Sequence, residues 1–180
     1  GYIKRMPAST YRSQRRGGRG VSGQTLKEED YVKTLLIASS HDYLLFFTNR
    51  GRVHRRKGYQ IPEAGRAARG TAIVNILPLE PDERVSAMLT TREFTEDYLM
   101  MVTRGGTVKR LALPSVVTAR KAGIRVITLD EGDELISVFK TSGKDNVILA
   151  TRQGQAICFA EDDVRPMGRD AAGVRGIRLA

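Results

Sequence analysis

The sequence predicts an all-β fold, a propeller-like array of about four blades with about four strands in each fifty residues. Three observations predict it. An apolar run ends at a turn glycine, a second glycine recurs about twenty residues later, and an acidic turn precedes a further strand. Helical periodicity is weak, and Gly and Pro interrupt the chain often. The predicted units span residues 1–34, 35–90, 91–141 and 142–180.

Each unit is predicted to contain a β-hairpin, because an apolar run, a glycine turn and an alternating strand follow one another. The apolar runs cover residues 44–47, 99–102 and 147–150. The aligned turn glycines are Gly1, Gly51, Gly106 and Gly154. Since no apolar run precedes Gly1, we expect the chain to begin inside a blade.

A second glycine landmark follows each hairpin at a regular distance. These glycines are Gly20, Gly70, Gly123 and Gly173. After three of them the composition predicts a β-rich run, over residues 72–77, 124–129 and 174–177. An acidic turn then precedes predicted strands at 84–89 and 135–139, and the first unit has the same step before Tyr31. The chain stops just after Gly173, so we expect a piece of a longer array.

The charge of the chain points to a polyanionic partner. Its 180 residues carry a net charge of +10 and give a pI of about 10.1. A domain with a pI above about 9 has the electrostatic character of a nucleic-acid binder. Basic residues concentrate in windows 1–25, 48–72 and 103–126, and every acid except Glu63 lies outside these windows. Charge that segregates with the repeat predicts one basic surface on the scaffold.

The strongest candidate site is a basic heptapeptide at residues 14–20. It reads Gln14, Arg15, Arg16, Gly17, Gly18, Arg19 and Gly20. Arginine presents a planar fork of donors that suits phosphate oxygens, and glycine lets the backbone turn and approach a ligand closely. Because Gly20 is also in register with the blade repeat, we predict a DNA-binding loop on the fold.

Further basic residues recur at equivalent blade positions. They are Lys4, Arg5, Arg55, Arg56, Lys57, Arg66, Arg69, Lys109, Arg110, Arg120, Lys121 and Arg125. Any one pair is typical of a solvated face, but the recurrence favours a curved wall of cations that bends DNA without reading bases. Aromatic residues are few and mostly lie in strand runs, so duplex DNA is favoured over stacked single strands.

The remaining residues indicate no catalysis. His41 and His54 have no partners at metal-ligand spacing and no nearby nucleophile pattern, so we assign no catalytic residue, metal or cofactor. The acidic clusters recur at one turn and are interpreted as turn-forming and solubilising. Cys158, the single cysteine, is expected to be a buried, inert thiol in a reducing compartment. No apolar run approaches the length of a membrane helix, which predicts a cytosolic protein without a membrane partner.

The heptapeptide matches the gyrase-A box, consensus Gln-Arg-Arg-Gly-Gly-Lys/Arg-Gly, at all seven positions. The flanks agree, from Gly1–Lys4 to Tyr11, and segments 40–42, 50–53, 73–80 and 173–179 are similar to later blades of the same family. The chain therefore resembles, over essentially its whole length, the C-terminal DNA-wrapping domain of the DNA gyrase A subunit.

This resemblance implies a β-pinwheel, in which blades exchange a strand with a neighbour and six blades are usual. It implies that duplex DNA wraps around the basic rim with positive handedness, that residues 14–20 complete the wrap, and that strand passage then introduces negative supercoils. The implied partners are the gyrase B subunit, together with the rest of the gyrase A subunit, in an A2B2 holoenzyme that is associated with the chromosome in the cytoplasm. The family's cleaving tyrosine follows an arginine, and no tyrosine here does, so we expect a non-catalytic domain of an ATP-dependent topoisomerase.

Two alternatives stay open. The homologous domain of the topoisomerase IV C subunit has similar blades, but its box is degraded or missing, whereas the box here is intact. A propeller that scaffolds other proteins would have a rim of mixed charge, against which the three basic windows argue.

Overall fold

The regular secondary structure in the part of the chain that the structure describes consists of β-strands and short 3-10 helices. The structure, a computed structural model, describes residues 1–11, 16–18, 31–118 and 122–179. The strands are β1 (Tyr2–Ile3), β2 (Tyr43–Thr48), β3 (Arg52–Lys57), β4 (Thr71–Ala72), β5 (Val85–Thr91), β6 (Tyr98–Thr103), β7 (Thr107–Ala112), β8 (Ile124–Arg125), β9 (Leu135–Thr141), β10 (Asn146–Ala150), β11 (Ala156–Ala160) and β12 (Val174–Arg175). The 3-10 helices are Ala8–Thr10, Gly58–Gln60, Ile73–Asn75, Leu113–Val116 and Glu161–Asp163. The all-β prediction is confirmed.

Three of the predicted hairpins form where the apolar runs and turn glycines place them. Strand β2 pairs with β3, β6 with β7, and β10 with β11, all antiparallel. The first strand of each pair is the apolar run, and in β2 and β6 it is almost wholly buried. Strands buried on both faces are continuous apolar runs, which is why these segments show little alternation.

Two of the hairpins grow into four-stranded sheets of the same order. One sheet runs β5-β2-β3-β8 and the other β9-β6-β7-β12. In each, the fourth strand does not belong to the same unit: β8 follows β7 in sequence but pairs with β3, and β12 follows β11 but pairs with β7. The pairing of β1 with β4 follows the same rule. Neighbouring units therefore exchange a short strand.

The main hydrophobic core lies between the two four-stranded sheets. Leu45 and Phe47 of β2 pack in one cluster with Leu99 and Met101 of β6, and all four side chains are fully buried. Smaller clusters lie on the outer side of each sheet. Consecutive units are thus joined by a shared core as well as by the exchanged strands.

The glycine landmark after each hairpin marks the point where the exchanged segment touches its neighbour. At Gly70 and Gly173 the backbone has φ of +91° and +101°. A Cβ there would meet the carbonyl oxygen of Ile3 or of Val108 at 2.5 Å. Only glycine permits both the conformation and the contact, so the repeat spacing is a consequence of strand exchange.

The exchanged strands are much shorter than the sequence predicted. The expected β-rich run at 72–77 contains the end of β4 followed by the 3-10 helix Ile73–Asn75, and the run at 124–129 contains only β8. The run at 174–177 contains only β12. Some apolar residues of these runs are core residues in irregular backbone, such as Val126 and Ile127, whereas Val74 and Val174 are exposed. Apolar content therefore predicted burial only in part and did not predict strand length.

Two further expectations also need correction. No strand forms in the described residues 31–39, although a strand was predicted there, and several of their apolar side chains are exposed. Cys158 is exposed, whereas a buried thiol was expected. It lies on β11, whose only strand partner within the described ranges is β10. The equivalent strands β3 and β7 are each covered on that side by an exchanged strand.

Candidate nucleic-acid interface

The heptapeptide is described in part. Arg16, Gly17 and Gly18 are exposed and lie in a turn. Gly17 has φ of +83°, a value typical of the third residue of a type II turn, where glycine is preferred. Gln14, Arg15, Arg19 and Gly20 lie outside the described residues.

Three loops occupy the position of the heptapeptide in later units. Counted back from the landmark glycine, they are loop A (residues 64–70), loop B (residues 117–123) and loop C (residues 167–173). The register places Arg66 of loop A and Arg169 of loop C at the position of Arg16. All three arginines are exposed at the first position of the turn. The same turn therefore presents an arginine in three of the four units.

Lys4 is hydrogen-bonded to the backbone of loop A. Its ammonium donates hydrogen bonds to the carbonyl oxygens of Gly65 (3.2 Å), Arg66 (2.6 Å) and Ala68 (2.8 Å). Its side chain is half-buried, and burial lowers its pKa. The turn itself is closed by the Ala68 amide, which donates to the Gly65 carbonyl at 3.0 Å. The lysine thus ties these carbonyls together through hydrogen bonds that are themselves exposed to solvent.

Lys109 makes the same arrangement behind loop C, but fully buried. Its ammonium donates to the carbonyl oxygens of Val126 (2.8 Å), Arg169 (2.7 Å) and Ala171 (2.7 Å). Burial lowers the pKa of Lys109 to about 8, against an opposing effect of the Asp170 carboxylate. The side chain has no exposed surface. The prediction that Lys109 belongs to a surface wall of cations is therefore wrong, because all three donors serve the interior of the fold.

Arg110, which follows Lys109, is also internal. Its guanidinium forms ion pairs with Glu161 (3.4 Å) and Asp162 (3.0 Å) and lies 4.0 Å from the Tyr98 ring centroid. Only 3% of its side chain is exposed. Its predicted place on the DNA-binding surface is corrected for the same reason. The cation at this strand position binds the segment that directly follows β11, the second strand of the next hairpin.

Arg5 is the equivalent residue of the first unit and is intermediate in exposure. It pairs with Glu63 at 3.1 Å, and its Nε donates to the Ile61 carbonyl at 3.1 Å. About a third of its side chain, 35%, is exposed. Most of its donor capacity is therefore directed at the same chain, although the residue borders the surface.

The basic run Arg55–Lys57 is divided between surface and interior. Arg56 is 8% exposed and donates to the Ile76 carbonyl at 2.8 Å, so its assignment to the rim is also corrected. Arg55 and Lys57 both lie over the Tyr43 ring, at 4.9 and 3.3 Å from its centroid. They are half-buried. Cation–π contacts of this kind fix both side chains against the sheet.

The remaining predicted cations are on the surface or lie outside the described ranges. Arg66, Arg69 and Arg125 are exposed. The guanidinium of Arg69 stacks over the Tyr2 ring at 3.8 Å. In the described part of the chain, Arg66 and Arg125 form no ion pair. Arg120 and Lys121 of loop B lie outside the described residues.

Two exposed arginines at recurring interface positions were missed by sequence reasoning. Arg169 is exposed in loop C, and Arg175 is exposed on β12 at the position that Arg125 occupies on β8. Neither lies in one of the three basic windows, since neighbouring acids balance the charge of the last unit. The distance to the landmark glycine could have identified both, because it fixes their place in the repeat.

The acidic turns have a structural role that solubility does not describe. Glu161 is fully buried and accepts hydrogen bonds from the Gly143 amide (2.6 Å) and the Asp145 amide (2.8 Å), besides its pairing with Arg110. Glu83 is buried and accepts from the Thr48 hydroxyl at 2.7 Å. These carboxylates satisfy turn amides and hydroxyls, which leaves the solubilising role to their exposed neighbours.

Neither a metal site nor a membrane span emerges from the described residues. Over 1–11, 16–18, 31–118 and 122–179, no group of three or more His, Cys, Asp or Glu side chains is arranged to hold a metal ion. In the same ranges no helix is long and apolar enough to cross a membrane.

The four-unit repeat, with blades that exchange an edge strand and turns that present arginine, defines a β-pinwheel-type domain. Family comparison agrees with this class. The family model described as "DNA gyrase C-terminal domain, beta-propeller" matches residues 1–39, 42–92, 97–142 and 145–180. The chain belongs to the family of DNA gyrase C-terminal domains.

Individual relatives are similar over nearly the whole chain. The DNA gyrase A subunit of Halalkalibacterium halodurans is 53% identical over 178 residues, which are 98% of this chain and 21% of that protein. The DNA gyrase A subunit of Escherichia coli is 51% identical over 180 residues, 99% of this chain and 21% of that protein. The chain thus spans about a fifth of the length of these relatives.

Solved structures show the same fold. A DNA gyrase A C-terminal domain superposes with a TM-score of 0.77 and 28% identity, covering 100% of this chain and 58% of that one. The C-terminal domain of a DNA topoisomerase IV superposes with a TM-score of 0.78 and 30% identity, covering 87% of this chain and 49% of that one.

Proposed function

We propose that the chain binds duplex DNA and wraps it chirally, as a non-catalytic part of the DNA gyrase A subunit that supports negative supercoiling. The observation that supports this most is the exposed Arg16–Gly17 turn of a complete basic heptapeptide, in a chain of this family. The exposed arginines of loops A and C extend the same feature along the repeat.

The proposed binding is electrostatic. If roughly six to ten phosphates are neutralised, affinity falls on the order of 10³- to 10⁵-fold between 50 and 200 mM salt. Bending a stretch of 20–30 base pairs costs about 1–6 kcal/mol, and contacts with successive units must offset that cost. We expect little sequence specificity beyond a preference for bendable sites, since the described elements include no α-helix that could enter the major groove.

The heptapeptide has a distinct role in this proposal. Its glycines let the backbone turn and come close to the phosphates, while its three arginines hold the DNA where the wrap closes. The exposed cations at the recurring interface positions, such as Arg66, Arg125 and Arg169, then supply affinity, and the heptapeptide supplies the handedness of the path.

The wider assignment follows from the relatives. The proposed partners are the gyrase B subunit, together with the rest of the gyrase A subunit, in an A2B2 holoenzyme near the chromosome in the cytoplasm. DNA cleavage and ATP hydrolysis belong to those other parts. The chain itself then acts by presenting a wrapped segment to them.

The test is topological. The chain is bound to a relaxed plasmid, the DNA is relaxed again with a type I topoisomerase, and the linking number is read on a gel. A positive shift that grows with protein concentration is expected. Substituting Arg15, Arg16 and Arg19 with Gln should leave binding detectable and abolish the shift. Retention of the shift in that triple variant would contradict the role given to the heptapeptide.

A matched control removes the same charge elsewhere. Lys144, Arg152 and Arg165 are exposed in the last unit and outside all the loops named above. Their triple substitution with Gln should keep the shift. If it abolishes the shift as completely, net charge and not the heptapeptide determines wrapping.

A second candidate is the corresponding domain of topoisomerase IV, which the similarity to that solved structure favours. It predicts DNA binding with salt dependence but no linking-number shift. The intact heptapeptide and the gyrase relatives favour the first proposal.

A further inference from the structure

We infer that loops A and C are additional DNA-backbone contacts, in which Arg66 and Arg169 bind phosphates while Lys4 and Lys109 position the loops without touching DNA. This inference rests on the proposed DNA binding and deepens it. It reverses the sequence-based assignment for the two lysines and adds Arg169 to the interface.

The first support is the repetition of one hydrogen-bond pattern in two units. Lys4 and Lys109 occupy the same position of the hairpin strand, directly after the last residue that pairs with the exchanged strand, Ile3 in one unit and Val108 in the other. Each donates to the carbonyl of the turn arginine, at 2.6 Å for Arg66 and 2.7 Å for Arg169. Each also donates to the carbonyl two residues further on, at 2.8 and 2.7 Å.

The second support is what this pattern does to the loop surface. Carbonyl oxygens carry partial negative charge and repel phosphate, and here the turn carbonyls of both loops are paired with an ammonium, on exposed atoms in loop A and on partly buried atoms in loop C. The arginine side chains of the same residues remain exposed, and in the described ranges neither forms an ion pair. A fixed turn whose carbonyls are paired with an ammonium and whose guanidinium is exposed is suited to a phosphate contact.

The third support is a contrast within the chain. In loop B the lysine position is occupied by His54, and the arginine position by Ala119. A Cβ at Gly123 of that loop would meet the His54 ring at 2.6 Å, so the histidine packs directly against the loop backbone. Where the sequence lacks the positioning lysine, it also lacks the arginine that the lysine would present.

The experiment measures DNA affinity of the 180-residue chain for a duplex as a function of salt concentration. Affinity falls as salt rises, and each phosphate contact makes the slope of log K against log salt steeper by about 0.9. One contact therefore accounts for about an eightfold loss of affinity for each tenfold increase in salt concentration. Arg66→Gln and Arg169→Gln should each make this slope shallower by about 0.9. Lys144→Gln, which removes an exposed charge outside the loops, is the control and should leave it unchanged.

The lysines are tested by coupling to the arginines. Lys109→Met should make the salt slope as shallow as Arg169→Gln does. The double variant should have the same slope as either single variant. A lysine that only stabilises the fold would lower Tm and leave the slope of the folded protein unchanged. Additive losses would mean that Lys109 itself contacts phosphate, and either result overturns the positioning role. Lys4→Met with Arg66→Gln repeats the test at a half-buried site, should Lys109→Met fail to fold.

The outcomes separate this inference from the function on which it rests. If the unchanged chain does not bind duplex DNA with salt dependence, the proposed function fails. If it binds but Arg66→Gln and Arg169→Gln behave like Lys144→Gln, only the loop contacts are refuted.

Discussion

The two four-stranded sheets share a backbone but differ in the polar side chains that complete it. Both have the same strand order, and both shift register by a bulge at the end of the inner strand, before Thr48 in one and Thr103 in the other. At the buried positions of the third strand, however, one sheet has His54 where the other has Lys109. The next position has a half-buried Arg55 in one sheet and a buried Arg110 in the other.

This difference shows which residues determine the repeated backbone path and which can vary between units. Glycines and apolar residues determine the backbone path, because they set the turns and the shared core. The polar interior positions accept different residues as long as each finds partners of its own, since an unpaired buried group is costly. A cation at a recurring position therefore has no fixed environment, and each one must be traced to its acceptors.

The largest expected effect tests the arginine pair across the two sheets. Arg110→Met removes the cation paired with the fully buried Glu161 carboxylate. Leaving a buried charge without its partner costs about 3–5 kcal/mol. Arg55→Met should cost about 1 kcal/mol, because Arg55 lies on the Tyr43 ring at a half-exposed site. Denaturant unfolding of both variants measures the contrast, and equal losses would contradict it.

The next effect concerns the lysine. Lys109→Met removes the shared donor of three carbonyl oxygens, of which Ala171 keeps a second donor in the Thr128 amide, and we expect a loss of about 2–4 kcal/mol at pH 7. The matched variant is Lys144→Met at an exposed position, where the cost should lie within about 0.5 kcal/mol. Denaturant unfolding at pH 7 compares the two, and a loss at Lys109 as small as that at Lys144 would contradict its internal role.

The same lysine predicts a pH dependence with a definite sign. Its pKa is about 8 in the fold and 10.5 ordinarily. Between these values the unfolded chain binds more protons, so the free energy of unfolding rises with pH, by up to about 3 kcal/mol. The measurement is the difference in unfolding free energy between the parent chain and Lys109→Met from pH 7 to 10.5. A difference that stays flat or shrinks would show that the three carbonyls keep the pKa near its ordinary value.

The smallest effect sharpens the comparison at a turn. Gly132 and Asp82 occupy equivalent acidic turns and both have positive φ, +74° and +62°. Gly132→Ala should cost about 1 kcal/mol although the site has open space, because the left-handed conformation itself is unfavourable for alanine. Gly132→Asp should cost less, since aspartate tolerates that conformation. Thermal unfolding of both variants tests the order, and a neutral Gly132→Ala would refute the strain argument.

Much of the fold followed from local patterns. The strands β2, β6 and β10 were predictable because buried apolar runs ended by a turn glycine have few other structures available. The lengths of β4, β8 and β12 were not, because their extent depends on a neighbouring unit and not on their own apolar content. Segment 31–39 has the composition of a strand, but pairing, and not composition, makes a strand.

The site was less predictable than the fold. Charge counting found Arg66 and Arg125, which are exposed, but it gave the same weight to Lys109 and Arg110, which are buried. No local pattern distinguishes them, because most of their acceptors lie 51 to 62 residues away, in loop C and the 3-10 helix before it. Arg169 was missed for the converse reason, since its window is neutral overall while its position in the repeat is informative.

Strand exchange also has a consequence for how such a chain emerges during synthesis. Val53 finds its partner Ile124 only after roughly seventy further residues have been made, a separation that raises contact order and slows folding. Until then the nascent hairpin offers an open edge, which is the kind of surface that pairs wrongly with other chains. In return, each four-stranded sheet includes a strand from a later unit. The array should therefore unfold as a linked whole and not blade by blade, unlike arrays whose repeats are each complete.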